Sequence, residues 1–261
     1  MSSSRRNKPF FLYVPFNAVH TPLQVPDSYE APYSNLKPKR RTMAGMLAAM
    51  DEAVGQIVSA VESQGLRERT LFVFSTDNGG FSPGTVTDNG PLRAGKGTLY
   101  EGGVRGCAFA TWDGHIPASS RIAEPLHMVD WYPTLLTLAG VALEQPRPLD
   151  GKDIWPVLTA GAKSPHAEIL CNSTPAGGAL RMGEWKLQVT HAVGRRARAS
   201  KREEVELYNL SDDLGESRNV AAEHPEVAAR LLARYEELAS EAVPPKTTEG
   251  EGGRQQQNSN E

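Results

Sequence analysis

Side chains that could bind an anion or a metal ion occur at three places in the first hundred residues. Asp77 and Asn78 directly follow the apolar run LFVFST, so their carboxylate and amide oxygens lie together at the end of a predicted strand. Calcium and magnesium take such oxygens as ligands. His20 lies in the proline-rich segment AVHTPLQVP, and Lys96 is flanked by two glycines. A lysine on such a loop can reach an anionic group, and a histidine after a strand can donate a hydrogen bond or a proton.

The tetrapeptide Thr-Asp-Asn-Gly occurs twice, at Thr76–Gly79 and at Thr87–Gly90. The first copy follows an apolar run, and ligands of open parallel sheets gather at the carboxyl ends of the strands. A helix cap or an Asx turn is the alternative interpretation of this copy. No strand leads into Asp88 and Asn89 of the second copy, so we expect that copy to form only a turn.

The elements around these residues alternate between strand and helix. Phe10–Val14 and Leu71–Ser75 are continuous apolar runs, which predict strands buried on both faces. Between them, apolar residues recur at three- and four-residue spacing from Thr42 to Leu66, which predicts a helix that Gly65 ends. A helix of this length between two strands implies a right-handed crossover and a parallel sheet. The fold class is therefore α/β.

The pattern changes about two thirds of the way along the chain. Val104–Trp112 predicts one more strand, and Met128–Gly140 predicts a helix in which Asp130 acts as a cap. From about Pro165 we expect a hairpin-like antiparallel series of short strands and then an amphipathic helix. These elements are Ala167–Cys171, Ala179–Arg181, Trp185–Thr190, Val205–Leu210 and the helix His224–Val243.

Three segments follow from this change of pattern. We predict that residues 1–164 form the C-terminal part of an α/β domain and that residues 165–243 form a small α+β domain with an antiparallel sheet. The polar tail over residues 244–261 is expected to be disordered.

Composition excludes several classes of protein. The chain has 261 residues and a formal net charge of −3, which gives no electrostatic footprint for nucleic acid. The basic run Arg195–Arg202 is followed at once by glutamates and is interpreted as a solvated loop. Cys107 and Cys171 support neither a disulfide framework nor a zinc site. No apolar stretch reaches the ~18 residues of a membrane span, and no signal peptide is recognised, so localisation stays open.

An ordered set of motifs covers the chain from Lys8 to Leu238. They are KPFFLYVPFNAVHTPLQVP, MLAAMDEAVGQIVSAVE, STDNGG, GPLRAGKGTLYEGGVRG, LHMVDWYPTLLTLAG and PLDGKDIWPVL. This set resembles the type I sulfatases, closest to their arylsulfatase B-like branch. The resemblance implies an alkaline-phosphatase-like fold, with a mostly parallel sheet covered by helices, and a metal-dependent hydrolase of aryl or sugar sulfate esters.

The resemblance also implies roles for individual residues. It implies that Asp77 and Asn78 ligate a divalent cation, usually calcium. It places His20 near the sulfate group, and it implies that Lys96 binds the sulfate and the leaving oxygen of the ester. His20 and Lys96 are therefore the expected catalytic and substrate-binding residues, and the expected partner is a sulfated small molecule or glycan.

The chain departs from the family in one respect. Type I sulfatases attack sulfur with a formylglycine made from the first residue of a C/S-x-P-x-R motif, and no such motif occurs here. The resemblance implies that the family's remaining metal ligands lie in an N-terminal half, which we expect this chain to lack. We therefore expect this chain to be inactive alone. The alternative is a non-catalytic fragment that binds a sulfated glycan or a partner protein through an exposed sheet edge. A phosphodiesterase or phosphomutase relative on the same fold is a third interpretation.

Overall fold

The structure is a computed structural model that describes residues 8–174, 176–191 and 204–243. It divides into two units. The first consists of Met1–Ser75, Gly80–Asp88 and Ala108–Ser120, and the second consists of Thr76–Gly79, Asn89–Cys107 and Arg121–Glu261. The expected disordered tail and the whole basic run lie outside the described residues.

The first unit is built around one long helix. Its elements are α1 (Asp27–Glu30), α2 (Pro38–Ser63), β1 (Phe72–Ser75), β2 (Ala108–Thr111) and 3-10 turns at Ala31–Tyr33 and Arg67–Arg69. Helix α2 is confirmed, although it begins at Pro38, four residues before the predicted start, because proline suits the first helical position. It ends just before Gly65, whose φ of 66° is the left-handed conformation that ends many helices.

The predicted strand Phe10–Val14 is wrong for the described structure. This segment has no strand conformation, and its side chains are exposed rather than buried. A strand needs a neighbour for its backbone N–H and C=O groups. In the part of the chain that the structure describes, β1 pairs only with β2, and the pairing is antiparallel rather than parallel. Strand β1 alternates half-buried and exposed side chains, so it is not buried on both faces either.

The second unit begins with short helices. They are α3 (Glu101–Val104), α4 (Trp131–Leu138), which follows a 3-10 turn at Met128–Asp130, and α5 (Trp155–Ala160). Because α3 occupies its start, the strand predicted over 104–112 forms only as β2. Asp130 is the N-cap residue of α4, but its side chain makes no cap bond to that helix. It completes the capping box of the preceding 3-10 turn instead, since its Oδ2 accepts the His127 N–H at 2.7 Å. Its Oδ1 accepts the Lys152 N–H at 2.9 Å and lies 2.7 Å from His166 Nε2.

An antiparallel sheet and a helix complete this unit. The strands are β3 (Ile169–Thr174), β4 (Gly177–Met182), β5 (Trp185–Thr190) and β6 (Glu204–Asn209), in the order β3-β4-β5-β6. The predicted antiparallel series is confirmed, as is the last helix, α6 (Pro225–Ser240). Helix α6 packs on one face of the sheet, and the core between them consists of Leu180, Leu187, Val189, Leu207, Ala228, Leu231 and Tyr235.

One helix among the described residues is long and apolar enough to cross a membrane by length and composition alone, namely α2. This is weak evidence, because core helices of soluble proteins and signal sequences pass the same measure. The division of the chain at residue 165 stays a prediction.

Candidate active site

Asp77 and Asn78 lie in a turn that backbone hydrogen bonds hold on both sides. Thr76 N–H donates to the Cys107 carbonyl at 2.9 Å, and Gly79 N–H donates to the Gly103 carbonyl at 2.9 Å. Asp77 is exposed and Asn78 is half-buried. Within the described residues, no hydrogen bond or ion pair involves either side chain. Their oxygens are therefore available to a ligand.

Three glycines bring this turn against the segment around Lys96. A Cβ added to Gly79 would lie 1.7 Å from the Gly102 carbonyl oxygen. A Cβ on Gly102 would lie 2.3 Å from the Arg93 carbonyl oxygen, and a Cβ on Gly103 would lie 2.2 Å from that of Thr98. Real Cβ atoms do not approach oxygens this closely, so only glycine fits. We call Gly79, Gly102 and Gly103 the glycine stack.

Lys96 lies in a turn, as predicted, and not in a helix. The Gly95 carbonyl accepts both the backbone N–H of Thr98 at 3.1 Å and its hydroxyl at 2.8 Å. Gly97 has a φ of 87°, which favours glycine. The Lys96 side chain is exposed, and no carboxylate among the described residues lies within ion-pair distance of it. Its ammonium group can therefore meet an anion.

His20 lies in the first unit, whereas Asp77, Asn78 and Lys96 lie in the second. Its backbone N–H donates to the Asn17 carbonyl at 2.9 Å. Its Nδ1 lies 2.8 Å from the Thr21 carbonyl oxygen. Because a carbonyl can only accept, the proton of the neutral ring is assigned to Nδ1, which leaves Nε2 as the acceptor.

The second Thr-Asp-Asn-Gly copy has the hydrogen bonds of a turn. Asn89 Nδ2 donates to the Ala94 carbonyl at 2.9 Å, and the Asn89 carbonyl accepts the Leu92 N–H at 2.9 Å. The Asn89 side chain thus hydrogen bonds to the backbone, whereas the Asn78 side chain makes no hydrogen bond within the described residues.

The donors present fit a hard divalent cation by type but not by number. Asp77 and Asn78 together offer two or three oxygens, whereas calcium takes about six to eight. Among the described residues, no group of three or more His, Cys, Asp and Glu side chains could hold a metal ion. These two residues could therefore form only part of a cation site.

A buried ionic cluster, which the sequence analysis missed, lies next to the glycine stack. Lys186 Nζ lies 2.9 Å from Glu101 Oε1 and 2.9 Å from Glu216 Oε1. The Glu216 carboxylate also accepts the backbone N–H of Glu101. Lys186 and Glu216 are fully buried and Glu101 is 4% exposed. Burial raises the pKa of Glu216, against the opposing effect of Lys186.

Arg93 joins the cluster to a pair of tyrosines. Its Nη1 donates to the Glu216 carbonyl at 2.7 Å and lies 3.0 Å from the Tyr208 hydroxyl. The guanidinium carbon lies 3.8 Å from the centre of the Tyr100 ring. Both tyrosine hydroxyls donate to Glu206 at 2.8 Å. Burial and these bonds raise the pKa of both tyrosines, so both remain donors at neutral pH.

The known proteins that this chain resembles include sulfatases. A sequence profile of the sulfatase family matches residues 2–141. Arylsulfatase J of Mus musculus is 32% identical over 281 residues, which cover 91% of this chain and 46% of that protein. The crystal structure of Ps i-CgsB in complex with k-i-k-neocarrahexaose is 33% identical, with a TM-score of 0.78 over 90% of this chain and 51% of that one.

A further solved structure shows the fold alone. The putative sulfatase yidJ from Bacteroides fragilis is 23% identical, with a TM-score of 0.70 over 91% of this chain and 55% of that one. The predicted α/β, alkaline-phosphatase-like fold class is thus confirmed. The chain spans about half the length of these relatives.

Proposed function

The chain belongs to the sulfatase family, and we propose that it supplies the part of a sulfate-ester hydrolysis site that binds the cation and neutralises the sulfate. One observation carries this proposal. The Lys96 ammonium and the Asp77 and Asn78 oxygens have no partner among the described residues, and both groups are attached to one glycine stack. The cation and the Lys96 ammonium, both held next to one glycine stack, could bind the same sulfate group.

Lys96 and His20 would act on the leaving group. As the S–O bond breaks, negative charge develops on the bridging oxygen, so a positive donor aimed at that oxygen helps the transition state more than the ground state. The Lys96 ammonium supplies such a charge. His20 has its Nδ1 proton held by the Thr21 carbonyl, so when the ring is protonated Nε2 can donate a hydrogen bond or a proton to the departing oxygen.

Asp77 and Asn78 would hold the divalent cation, expected to be calcium. Bound there, the cation would act as a Lewis acid that neutralises charge on a sulfate oxygen. The two side chains cannot complete its coordination. Other residues must therefore supply the remaining oxygen ligands of the cation.

The chain carries no C/S-x-P-x-R motif from which a formylglycine nucleophile could be made. Charge neutralisation without a nucleophile leaves the sulfur unattacked, and loss of a nucleophile costs several orders of magnitude in rate. We therefore propose that the chain is inactive alone and acts with a segment that supplies the nucleophile.

The proposed substrate is a sulfated sugar or a small aryl sulfate. Support comes from the similar protein Ps i-CgsB, whose crystal structure contains k-i-k-neocarrahexaose, and from the similarity to an arylsulfatase.

A two-chain assay tests the proposal. This chain is assayed on a fluorogenic aryl sulfate, first alone and then co-expressed with the N-terminal half of a related sulfatase that carries C/S-x-P-x-R. We expect no turnover alone and turnover by the pair. Lys96→Ala should lower kcat of the pair roughly ten- to a thousandfold, the effect of removing one preorganised donor.

Lys163→Ala is the matched control, because Lys163 is also an exposed lysine of the second unit and, among the described residues, is ion-paired with Glu124 alone. It should leave kcat unchanged. If the chain alone turns over the substrate and Lys96→Ala abolishes this turnover, the proposal that the chain lacks a nucleophile is wrong. An active pair that is equally fast with Lys96→Ala would contradict the role of Lys96.

A non-catalytic binding protein is the second candidate, and one observation favours it. The segment Phe10–Val14 exposes five apolar side chains, with Phe11 78% and Tyr13 75% exposed. Such a surface suits a partner protein. Binding of a sulfated glycan or partner that is unaffected by Lys96→Ala and Asp77→Ala would favour this candidate over the first.

A further inference from the structure

The two faces of the four-stranded sheet differ in chemistry. Along β5, Leu187 and Val189 point into the core with α6, whereas Lys186 and Gln188 alternate with them and point to the opposite face. Lys186 is nevertheless 0% exposed, because the cluster with Glu101 and Glu216 covers it.

Stability alone does not account for this arrangement. Desolvation of a buried ion pair offsets most of the attraction between its charges, and apolar residues of the same volume usually stabilise a fold as well or better. Buried charges do, however, impose one geometry, since each must meet its partner.

Glu216 holds both ends of the loop that carries Lys96. Its carboxylate accepts the backbone N–H of Glu101, on the C-terminal side of the loop. Its backbone carbonyl accepts the Arg93 guanidinium at 2.7 Å, on the N-terminal side. Lys96 lies between these two anchor points, three residues after Arg93 and five before Glu101.

Lys186 fixes the residue that precedes the glycine stack. Its ammonium binds the Glu101 side chain at 2.9 Å, and Gly102 and Gly103 follow directly. The Gly103 carbonyl accepts the N–H of Gly79, which directly follows Asn78. An unbroken path of short contacts thus connects the sheet to both candidate binding groups.

From this path we propose that Lys186 and Glu216 are positioning residues, which hold the Lys96 loop and the Asp77–Asn78 turn in register. This inference rests on the proposed function, which assigns sulfate binding to the loop and cation binding to the turn. The positions of the loop and the turn can be tested on this chain by itself. Neither residue touches the substrate or the cation.

The test uses the full chain labelled with ¹⁵N-glycine and terbium as the metal probe. Glu216→Gln keeps the size of the side chain and removes its charge. We expect it to shift the amide resonances of Gly79, Gly102 and Gly103 and to weaken terbium binding roughly tenfold, the lower end of the loss seen when a group that orients metal ligands is removed.

Glu168→Gln is the matched control, because Glu168 belongs to the same unit and is ion-paired with Arg234 on α6. It should leave these glycine resonances and the terbium affinity unchanged. Lys186→Met should reproduce the effect of Glu216→Gln, and Lys186→Arg should restore part of it. A purely stabilising cluster would lower the melting temperature in Glu216→Gln with no change at Gly79 or in terbium affinity measured well below that temperature.

The outcomes separate the two proposals. If folded Glu216→Gln and Lys186→Arg chains keep the wild-type resonances of the glycine stack and the wild-type terbium affinity, the positioning role is wrong. If terbium binding is unaffected by Asp77→Ala, the proposed cation site is wrong, and the glycine resonances alone then decide the positioning role. Should Lys186→Met fail to fold, the conservative Glu216→Gln comparison still decides.

Discussion

At the residue scale, the two Thr-Asp-Asn-Gly copies have the same sequence but different hydrogen bonds. Asn89 of the second copy donates its side-chain amide to the backbone of its own turn. Asp77 and Asn78 of the first copy make no such bond within the described residues, because the backbone beside them is held by Thr76 and Gly79 instead.

A first prediction follows for the cation. Asp77→Ala removes a carboxylate ligand and should weaken terbium binding by at least about tenfold, since even groups behind a ligand contribute that much. Asp88→Ala should change it less than about twofold. A terbium luminescence titration of both variants measures this difference. Equal losses in two folded variants would mean that the roles of the two copies are wrongly assigned.

A second prediction concerns the leaving group in the two-chain enzyme. Lys96→Ala should lower kcat most for aryl sulfates with poor leaving groups, because these need most stabilisation of the bridging oxygen. His20→Ala should show the same trend. Rates for a series of substituted phenyl sulfates measure it, and a loss that is independent of the leaving group would contradict contact with that oxygen.

The sequence could single out residues whose types and neighbours suggest chemistry, but it could not indicate the buried contacts that surround them. Asp77, Asn78, Lys96 and His20 stand out because their immediate neighbours are strands, glycines and prolines. Glu216 and Glu101 are 115 residues apart, and no local pattern indicates that their carboxylates share one lysine.

At the element scale, local periodicity predicted α2, α4, α6 and the four strands of the antiparallel sheet, because these patterns repeat within a single element. The segment Phe10–Val14 was predicted wrongly. An apolar run indicates a tendency to be buried, but a strand also needs a paired neighbour, and none lies beside this run in the described residues.

A third prediction addresses the glycine stack. Gly79→Ala puts a methyl group where the Gly102 carbonyl oxygen lies 1.7 Å away, so the two backbones must separate. We expect a lower free energy of unfolding, by about 1–3 kcal/mol as for other overpacked sites. Urea unfolding measures it, with Gly55→Ala as the control, because nothing lies within 4 Å of a Cβ there. A neutral Gly79→Ala would contradict the tight contact.

A fourth prediction concerns the ion pair between Glu168 and α6. Arg234 hydrogen bonds to Glu168 and holds the pKa of that carboxyl below its usual 4.5. The folded pKa is the lower one, so the stabilisation is present above pH 4.5 and is lost as the pH falls through the folded value. Arg234→Met should therefore cost less than about 1 kcal/mol at pH 7, because solvent screens partly exposed pairs, and still less at pH 3.

Chemical denaturation at both pH values measures this prediction. Arg218→Met is a suitable control for a change of charge, because its pair with Glu223 is largely exposed. A cost for Arg234→Met that does not fall between pH 7 and pH 3 would show that the pair does not stabilise the fold through this carboxylate.

At the scale of the whole molecule, the described residues include a continuous apolar segment that is exposed. Phe10, Phe11, Leu12 and Tyr13 are each more than half exposed. Monomeric proteins seldom leave such a continuous apolar surface in water. Under the proposed function, Asp77 and Asn78 also need further oxygen ligands to complete a cation site, and association with further protein would meet both needs.

A fifth prediction follows from that surface. The isolated chain should self-associate at micromolar concentration, and the double substitution Phe11→Ser with Tyr13→Ser should reduce the association. Light scattering measures the apparent mass of both proteins. Leu47→Ser, which removes a single exposed apolar side chain of α2, is the control and should have little effect. A monodisperse wild-type chain would contradict the prediction.

The glycine stack also affects the conformational entropy of ligand binding. Where Gly79, Gly102 and Gly103 meet, backbone lies on backbone, and no side chain separates the two segments. No rotamers therefore remain to be frozen there when a ligand arrives. Glycine loses more backbone freedom on folding than any other residue, so this loss is incurred when the chain folds and not when it binds. Ligand binding to this turn and loop should accordingly carry a smaller entropic penalty than binding to loops that must first become ordered.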